Sequence, residues 1–271
     1  MTARSKVRTV PTLVIIAILG LTYPANAGEI TYVQITGDAD CGISSDNTYT
    51  HAIDFGTGTP GASINGIQFE AYNSAANGTL GFNREVVTGL LSDHGGNGNH
   101  NVTGSLVDLL TDMYYNGNNA AGGVSTWTLS GLTPGKTYHT RIYTRQWGAS
   151  NARNVTFVFD PDGPGPVSDS TGVVSQDNAT SVGFANGNDA FYINYQFKAA
   201  AGQDLVITLT QDNTNQSWHL YGLSNQEFSS ETAVNPYPAH EATDVLRDAD
   251  LSWEAGDFAV THNVYLGENL E

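Results

Sequence analysis

The chain has 271 residues, with 27 Asp or Glu against 10 Lys or Arg and a net charge of −17. A field of that sign repels phosphate, which excludes nucleic acid and anionic membrane surfaces as partners, because affinity for both rests on clustered Lys and Arg. Cys41 is the only cysteine, so no intramolecular disulfide can form and the core must hold by packing, with Cys41 read as a small buried hydrophobe.

At the amino terminus, Arg4, Lys6 and Arg8 precede an apolar run from Val10 to Thr22, interrupted by Pro11, Thr12 and Gly20. Ala25-Asn26-Ala27 then supplies the small residues of a cleavage site. This pattern predicts a signal peptide over 1–27 and an exported chain that begins at Gly28. The apolar run is shorter than the roughly 18 residues a bilayer crossing needs, and no second run follows, so no membrane span is expected after cleavage. Without the leader, seven basic residues face 27 acidic ones, a net charge of −20.

Glu29 to Thr36 is the first predicted strand. Asp38, Asp40, Asp46 and Asn47 follow it, a density of hard oxygen donors that suits a structural Ca²⁺. The same residue types also stabilise turns, and no segment fits a calcium-loop motif. Ser63 to Tyr72 reads as a second strand, and Glu85 to Leu91 as a turn or two of helix. The tract from Asp93 to Gly104, rich in Gly and Asn, reads as a surface loop. Leu106, Leu109, Leu110 and Met113 then recur at helical spacing, and Ser105 with Asp108 three positions on forms an N-terminal signature, predicting a helix over Leu106 to Tyr115.

Alternation resumes at Ser125 to Ser130. In Leu132-Thr133-Pro134-Gly135-Lys136-Thr137-Tyr138, Pro134 presets φ and Gly135 accepts a positive φ, so Thr133 to Lys136 is expected to form a type II turn. Leu132 and Tyr138 bracket it as in the tyrosine corner of β-sandwiches. Further strands are predicted over Thr137 to Gln146, Asn154 to Phe159, Ala190 to Ala199, Asp204 to Gln211 and Ser217 to Asn225, with Ala190 to Ala199 and Asp204 to Gln211 paired as a hairpin. The sum is an all-β antiparallel sandwich carrying one short helix, over 28–228.

The segment from Arg145 to Arg153 joins an aromatic plane to hydrogen-bonding groups. Sugar recognition uses aromatic rings against the C–H face of a pyranose and polar side chains against its hydroxyls. Trp147, Arg145, Asn151 and Arg153, with Trp218 from the last strand, are therefore the candidate ligand-binding residues; the alternative for each tryptophan is a core plug.

Three stretches carry a resemblance to a known family: Leu109 to Tyr115, Leu129 to Tyr138, and Trp218-His219-Leu220-Tyr221-Gly222-Leu223-Ser224-Asn225. Together they resemble the galactose-binding-like jelly-roll modules of bacterial exported and surface proteins, which are related to carbohydrate-binding modules. The resemblance implies a jelly-roll-like sandwich, a non-catalytic role, a carbohydrate or cell-surface glycan as partner, and one structural calcium, best placed at Asp38 to Asn47. After a linker over 229–240, Leu251-Ser252-Trp253 and Val264-Tyr265-Leu266-Gly267 resemble the start of a fibronectin type III-like module, with Trp253 as its core tryptophan. Residues 241–271 are too few to close such a fold, so downstream domains of a longer chain are expected.

No metalloprotease, nucleophile-elbow or phosphate-loop motif is present. Paired carboxylates for glycoside hydrolysis are set by spatial separation and leave no sequence mark. The expected function is an exported, non-catalytic carbohydrate-binding module. The alternatives are a structural spacer or adhesive repeat without a small ligand, and a polysaccharide hydrolase or lyase.

Overall fold

The computed structural model describes residues 27–56, 60–73, 81–89, 91–96, 101–116, 123–148, 153–163, 168–212, 216–228, 234–238, 242–246 and 248–254. The signal-peptide expectation, apart from Ala27, lies outside them. Two main sheets face each other. The first contains β1 (Glu29–Ile35), β2 (Thr48–Phe55), β5 (Glu70–Tyr72), β10 (Thr137–Thr144), β13 (Ala190–Lys198) and β16 (Gly222–Phe228), ordered β1-β13-β10-β16-β2-β5. The second contains β6 (Phe82–Thr88), β9 (Val124–Leu129), β11 (Asn154–Asp160), β12 (Asp169–Ser175) and β14 (Leu205–Gln211), ordered β12-β11-β14-β9-β6.

The antiparallel pairs nest along the chain: β2 with β16 outermost, then β9 with β14, β10 with β13, and β11 with β12. A long hairpin rolled across two sheets produces this order, so the fold is a jelly roll. One pair, β2 with β5, is parallel. A third, small sheet of β7 (Leu91–His94), β8 (Met113–Asn116) and β15 (His219–Leu220) closes one end, and β3 (Ser63–Ile64) pairs with β4 (Ile67–Gln68) as a short hairpin.

Alternation explains the core. On β13, Phe191, Ile193, Tyr195 and Phe197 point to the opposite sheet, where Leu205, Ile207 and Leu209 of β14 meet them. The expected hairpin between these strands is therefore corrected: they lie in different sheets and face each other across the core. The physical reason sits at Ala199, whose C=O accepts from Gly135 N–H at 2.8 Å and whose N–H donates to Lys136 C=O at 2.9 Å. Those bonds extend the pairing of β13 with β10, and β1 occupies the other edge of β13, so the chain after Ala199 finds no free edge there and must pair in the second sheet. At the centre Phe55 stacks on Tyr114, centroids 4.8 Å apart, and meets Trp127 at a tilt, centroids 4.9 Å apart.

Two further expectations are corrected. Glu85 to Leu91 belongs to strands β6 and β7 rather than a helix, because Phe82 and Arg84 alternate inward. The helix is a single turn, α1 (Leu106–Leu109), and Met113 to Asn116 is strand β8, since Tyr114 is required in the core. Ser105 makes no side-chain cap.

Beyond the sandwich, β17 (Val234–Tyr237) pairs with β18 (Ser252–Glu254). Trp253, expected as a core residue, is 36% exposed and Tyr237 61% exposed; two short strands supply no second layer to bury them.

Tyr138 fulfils its expected corner role, its hydroxyl oxygen accepting Thr133 N–H at 2.9 Å, and Gly135 has φ of 81°. Tyr138→Phe removes that acceptor while keeping the ring, so chemical denaturation is expected to show a loss of about 1 kcal/mol. An unchanged unfolding midpoint would mean that the corner bond contributes nothing to stability.

Candidate functional site

The outer face of the first sheet is covered by a second apolar cluster. Ile43 and Cys41 from the loop after β1, Ile64 and Phe69 from the β3–β5 region, and Leu106 and Leu109 from α1 pack onto it. The acidic residues after β1 organise this cover. The Asp38 carboxylate accepts Ser105 N–H at 2.9 Å and Leu106 N–H at 2.7 Å, capping α1 from a distant loop. Asp40 accepts Thr36 N–H and Gly37 N–H at 2.8 Å and 2.9 Å, bonds that hold its carboxyl below the usual range despite partial burial. Asp46 N–H donates to Ser44 Oγ, and Asn47 donates to Gln226 Oε1 at 3.1 Å. The four residues expected to bind calcium thus have turn, cap and bridging roles. Among the described residues no group of three acidic, His or Cys side chains gathers around a common point.

The candidate sugar residues divide. Trp218 is fully buried and meets Trp127 edge-on at 6.3 Å, so its assignment as a ligand contact is corrected to core. Arg145 is corrected likewise: 1% exposed, it donates to Leu110 C=O at 2.7 Å and lies 4.5 Å over the Tyr221 ring. Position 145 continues the outward alternation of β10, but α1 and β15 cover that face. Arg153 pairs with the buried Asp177 at 3.0 Å and donates to Ser217 C=O. Asn151 lies outside the described residues. Trp147 is half-buried, its ring 4.7 Å from His94 in an edge-to-face contact and its backbone N–H donating to the Asp177 carboxylate. Beneath them His219, fully buried, places Nε2 2.8 Å from Arg145 C=O, and burial depresses its pKa to about 3. This rim is a buried polar network that anchors loops, with Trp147 at its border.

Sequence reasoning missed a different concavity. A cleft of about 490 Å³ lies between the end of β2, residues 60–63, β4 and α1, lined by Asp54, Ser63, Gln68, Asp108, Thr111 and Asp112 among others. Two glycines make it. A Cβ at Gly222 would stand 2.6 Å from the Leu109 Cδ1, so glycine there lets the Leu109 side chain of α1 rest directly on β16. A Cβ at Gly56, where φ is 121°, would stand 2.5 Å from the Asp112 Cβ, so glycine also admits Asp112 beside the end of β2. Asp54 forms the base, 5% exposed, with Oδ2 accepting Ala62 N–H at 2.7 Å and Oδ1 without a hydrogen-bond partner. Burial, reinforced by Asp112 and Asp108, raises its pKa to about 8. A second groove of about 410 Å³, lined in part by Tyr49, Thr50 and Glu70, lies beside the cleft and shares Gln68 with it. No motif marks Asp54, because its surroundings come from segments far apart in the chain.

No family model matches the chain, and no curated protein matches it. Among solved structures, the extracellular domain of ANXUR1 from Arabidopsis thaliana is similar at 12% identity and a TM-score of 0.43, covering 66% of this chain and 48% of that one. The chain thus spans about half the length of that structure, and a likeness this distant bears on no functional argument.

Asp54 makes stability depend on pH in a definite direction. The folded chain keeps its proton up to about pH 8, whereas the unfolded chain releases it near 4. Between those values the folded state holds the extra proton, so this residue's contribution to stability falls as pH rises from about 4 to about 8 and then levels. Asp54→Asn removes the titration. The melting temperature of the variant relative to the parent is expected to be similar near pH 4 and to climb progressively towards pH 8; a pH-independent difference would contradict the burial of a neutral carboxyl.

Proposed function

We propose that this chain is an exported, non-catalytic, galactose-binding-like module that binds carbohydrate within a larger surface or secreted protein. The observation that carries the reading is the cleft over Asp54, whose lining offers carboxylate, amide and hydroxyl groups to the hydroxyls of a sugar. The adjoining groove at Gln68 extends the concavity, which suits an oligomer better than a single small molecule. The leader pattern of residues 1–27 supports export. Among the described residues no helix is long and apolar enough to cross a membrane. Structural calcium at the Asp38 to Asn47 loop does not enter this reading.

Asp54 also favours a second reading. A protonated carboxyl beside two further carboxyl groups is the acid and base arrangement of glycoside hydrolysis. A general acid must, however, reach the glycosidic oxygen within hydrogen-bond distance, and Asp54 is 5% exposed with one oxygen committed to Ala62 N–H. Binding without turnover is the better match.

Glycan-array screening of the full exported chain, followed by calorimetry on the retained glycans, tests the proposal. Asp108→Ala and Asp112→Asn are each expected to weaken binding by about 1.5 kcal/mol or more, the scale of hydrogen bonds to charged groups, without loss of reducing ends from the glycan. Trp147→Ala removes a ring packed on His94 and is expected to lower the melting temperature more than it lowers affinity. Retention of no glycan, or affinity untouched by the cleft variants, would overturn the reading; release of reducing ends would replace it with the hydrolase.

A further inference from the structure

We infer that the cleft selects a glycan carrying a free amine, with its ammonium group held between Asp108 and Asp112 above the buried Asp54. This inference rests on the carbohydrate reading and narrows its ligand class. Three observations support it beyond the presence of acidic residues. Asp54 lines the cleft, is 5% exposed, and leaves Oδ1 with no hydrogen-bond partner. Asp54 offsets the cost of that unpartnered oxygen by retaining its proton, and a cation beside it stabilises the ionised form instead. None of the described residues lining the cleft is basic, so such a charge can come only from a ligand.

The groups facing Asp54 all have one sign or none. Asp112 and Asp108 approach from the α1 side. Gly222 of β16 and Ala71 of β5 are its register neighbours, and the loop before β3 contributes the Ala62 N–H. A bare metal ion is the poorer occupant, because it needs several ligands converging on one point, and no such group exists among the described residues. An ammonium group has three N–H donors and can bridge carboxylates that are set apart. An N-acetylated sugar presents a neutral amide at the same place and gains none of this attraction.

The arrangement links binding to a proton. Asp54 is neutral below about pH 8 in the empty cleft. A cation beside it favours the carboxylate, so the Asp54 O–H bond gives up its proton to solvent and keeps the electron pair when the ammonium group enters. Affinity for the amine form then carries a proton release that affinity for the acetylated form lacks.

Isothermal titration calorimetry of the full exported chain, in buffers of different ionisation enthalpy near pH 6, compares a glucosamine oligomer with its N-acetylated counterpart. Spermidine and calcium chloride serve as cation controls. The glucosamine oligomer is expected to bind at least about tenfold more tightly than the acetylated one, the equivalent of one charge-assisted hydrogen bond. Its binding is expected to release a fraction of a proton and to weaken with added salt. Asp112→Asn is expected to remove most of the preference, and Asp54→Asn, checked for folding by circular dichroism, to abolish the proton release. Equal affinity for the two oligomers, or a preference that survives Asp112→Asn, overturns the inference and leaves the carbohydrate reading standing. If neither oligomer nor any arrayed glycan binds, both fall. Tight spermidine or calcium binding with no glycan binding would make this a cation site and overturn the amino-sugar assignment.

Discussion

The Asp38 carboxylate accepts the backbone N–H groups of Ser105 and Leu106, and the position of α1 follows from that contact. A one-turn helix has too few internal bonds to be stable by itself. Asp38 fixes its start, and Leu109 resting on Gly222 fixes its height above the sheet. Asp108, Thr111 and Asp112 are then held opposite Asp54, with Asp112 against Gly56. The cleft is therefore a consequence of how the outer face of the first sheet is covered, and the jelly-roll core beneath provides the rigid base.

The two polar regions near α1 differ in kind. At the rim, Arg145 is satisfied by the Leu110 and Gln146 carbonyls, Arg153 by Asp177 and the Ser217 carbonyl, and His219 is kept neutral by burial. Charges there are paired within the chain, as burial requires. In the cleft the acidic groups face an open concavity, and Asp54 avoids the cost of an unpaired buried charge by retaining its proton. The charged groups of the rim are spent on the fold, while the acidic groups of the cleft line an open concavity.

The sequence made the sandwich legible wherever one face alternated cleanly, as in Phe191-Tyr192-Ile193-Asn194-Tyr195, and wherever turn chemistry was specific, as at Pro134-Gly135 and Tyr138. Period alone could not say which sheet a strand joins, so β13 and β14 looked like hairpin partners when they are opposite layers. Strand β2 escaped notice because His51 interrupts the face shared by Ile53 and Phe55 while Asp54 stands on the other face, and β12 because an edge strand with Asp169, Ser170 and Thr171 lacks an apolar pattern. Met113 continues the helical spacing of Leu106, Leu109 and Leu110, but the place of Tyr114 beside Phe55 in the core decided for a strand. The candidate ligand residues were the least legible: Arg145 and Trp218 have the right chemistry, but their covers come from distant segments. Asp54, in ordinary sequence surroundings, acquires its environment only through residues 62, 108 and 112.

The most direct test is the titration of Asp54 itself, followed by carboxyl-carbon NMR on the full chain with selectively labelled aspartate and assigned by comparison with Asp54→Asn. The account predicts a resonance that stays protonated through neutral pH and changes with a midpoint near 8. A midpoint in the ordinary carboxylate range, near 4, would show that water or another group already satisfies this carboxylate, and would contradict the account of the cleft as a site held ready for a cationic partner.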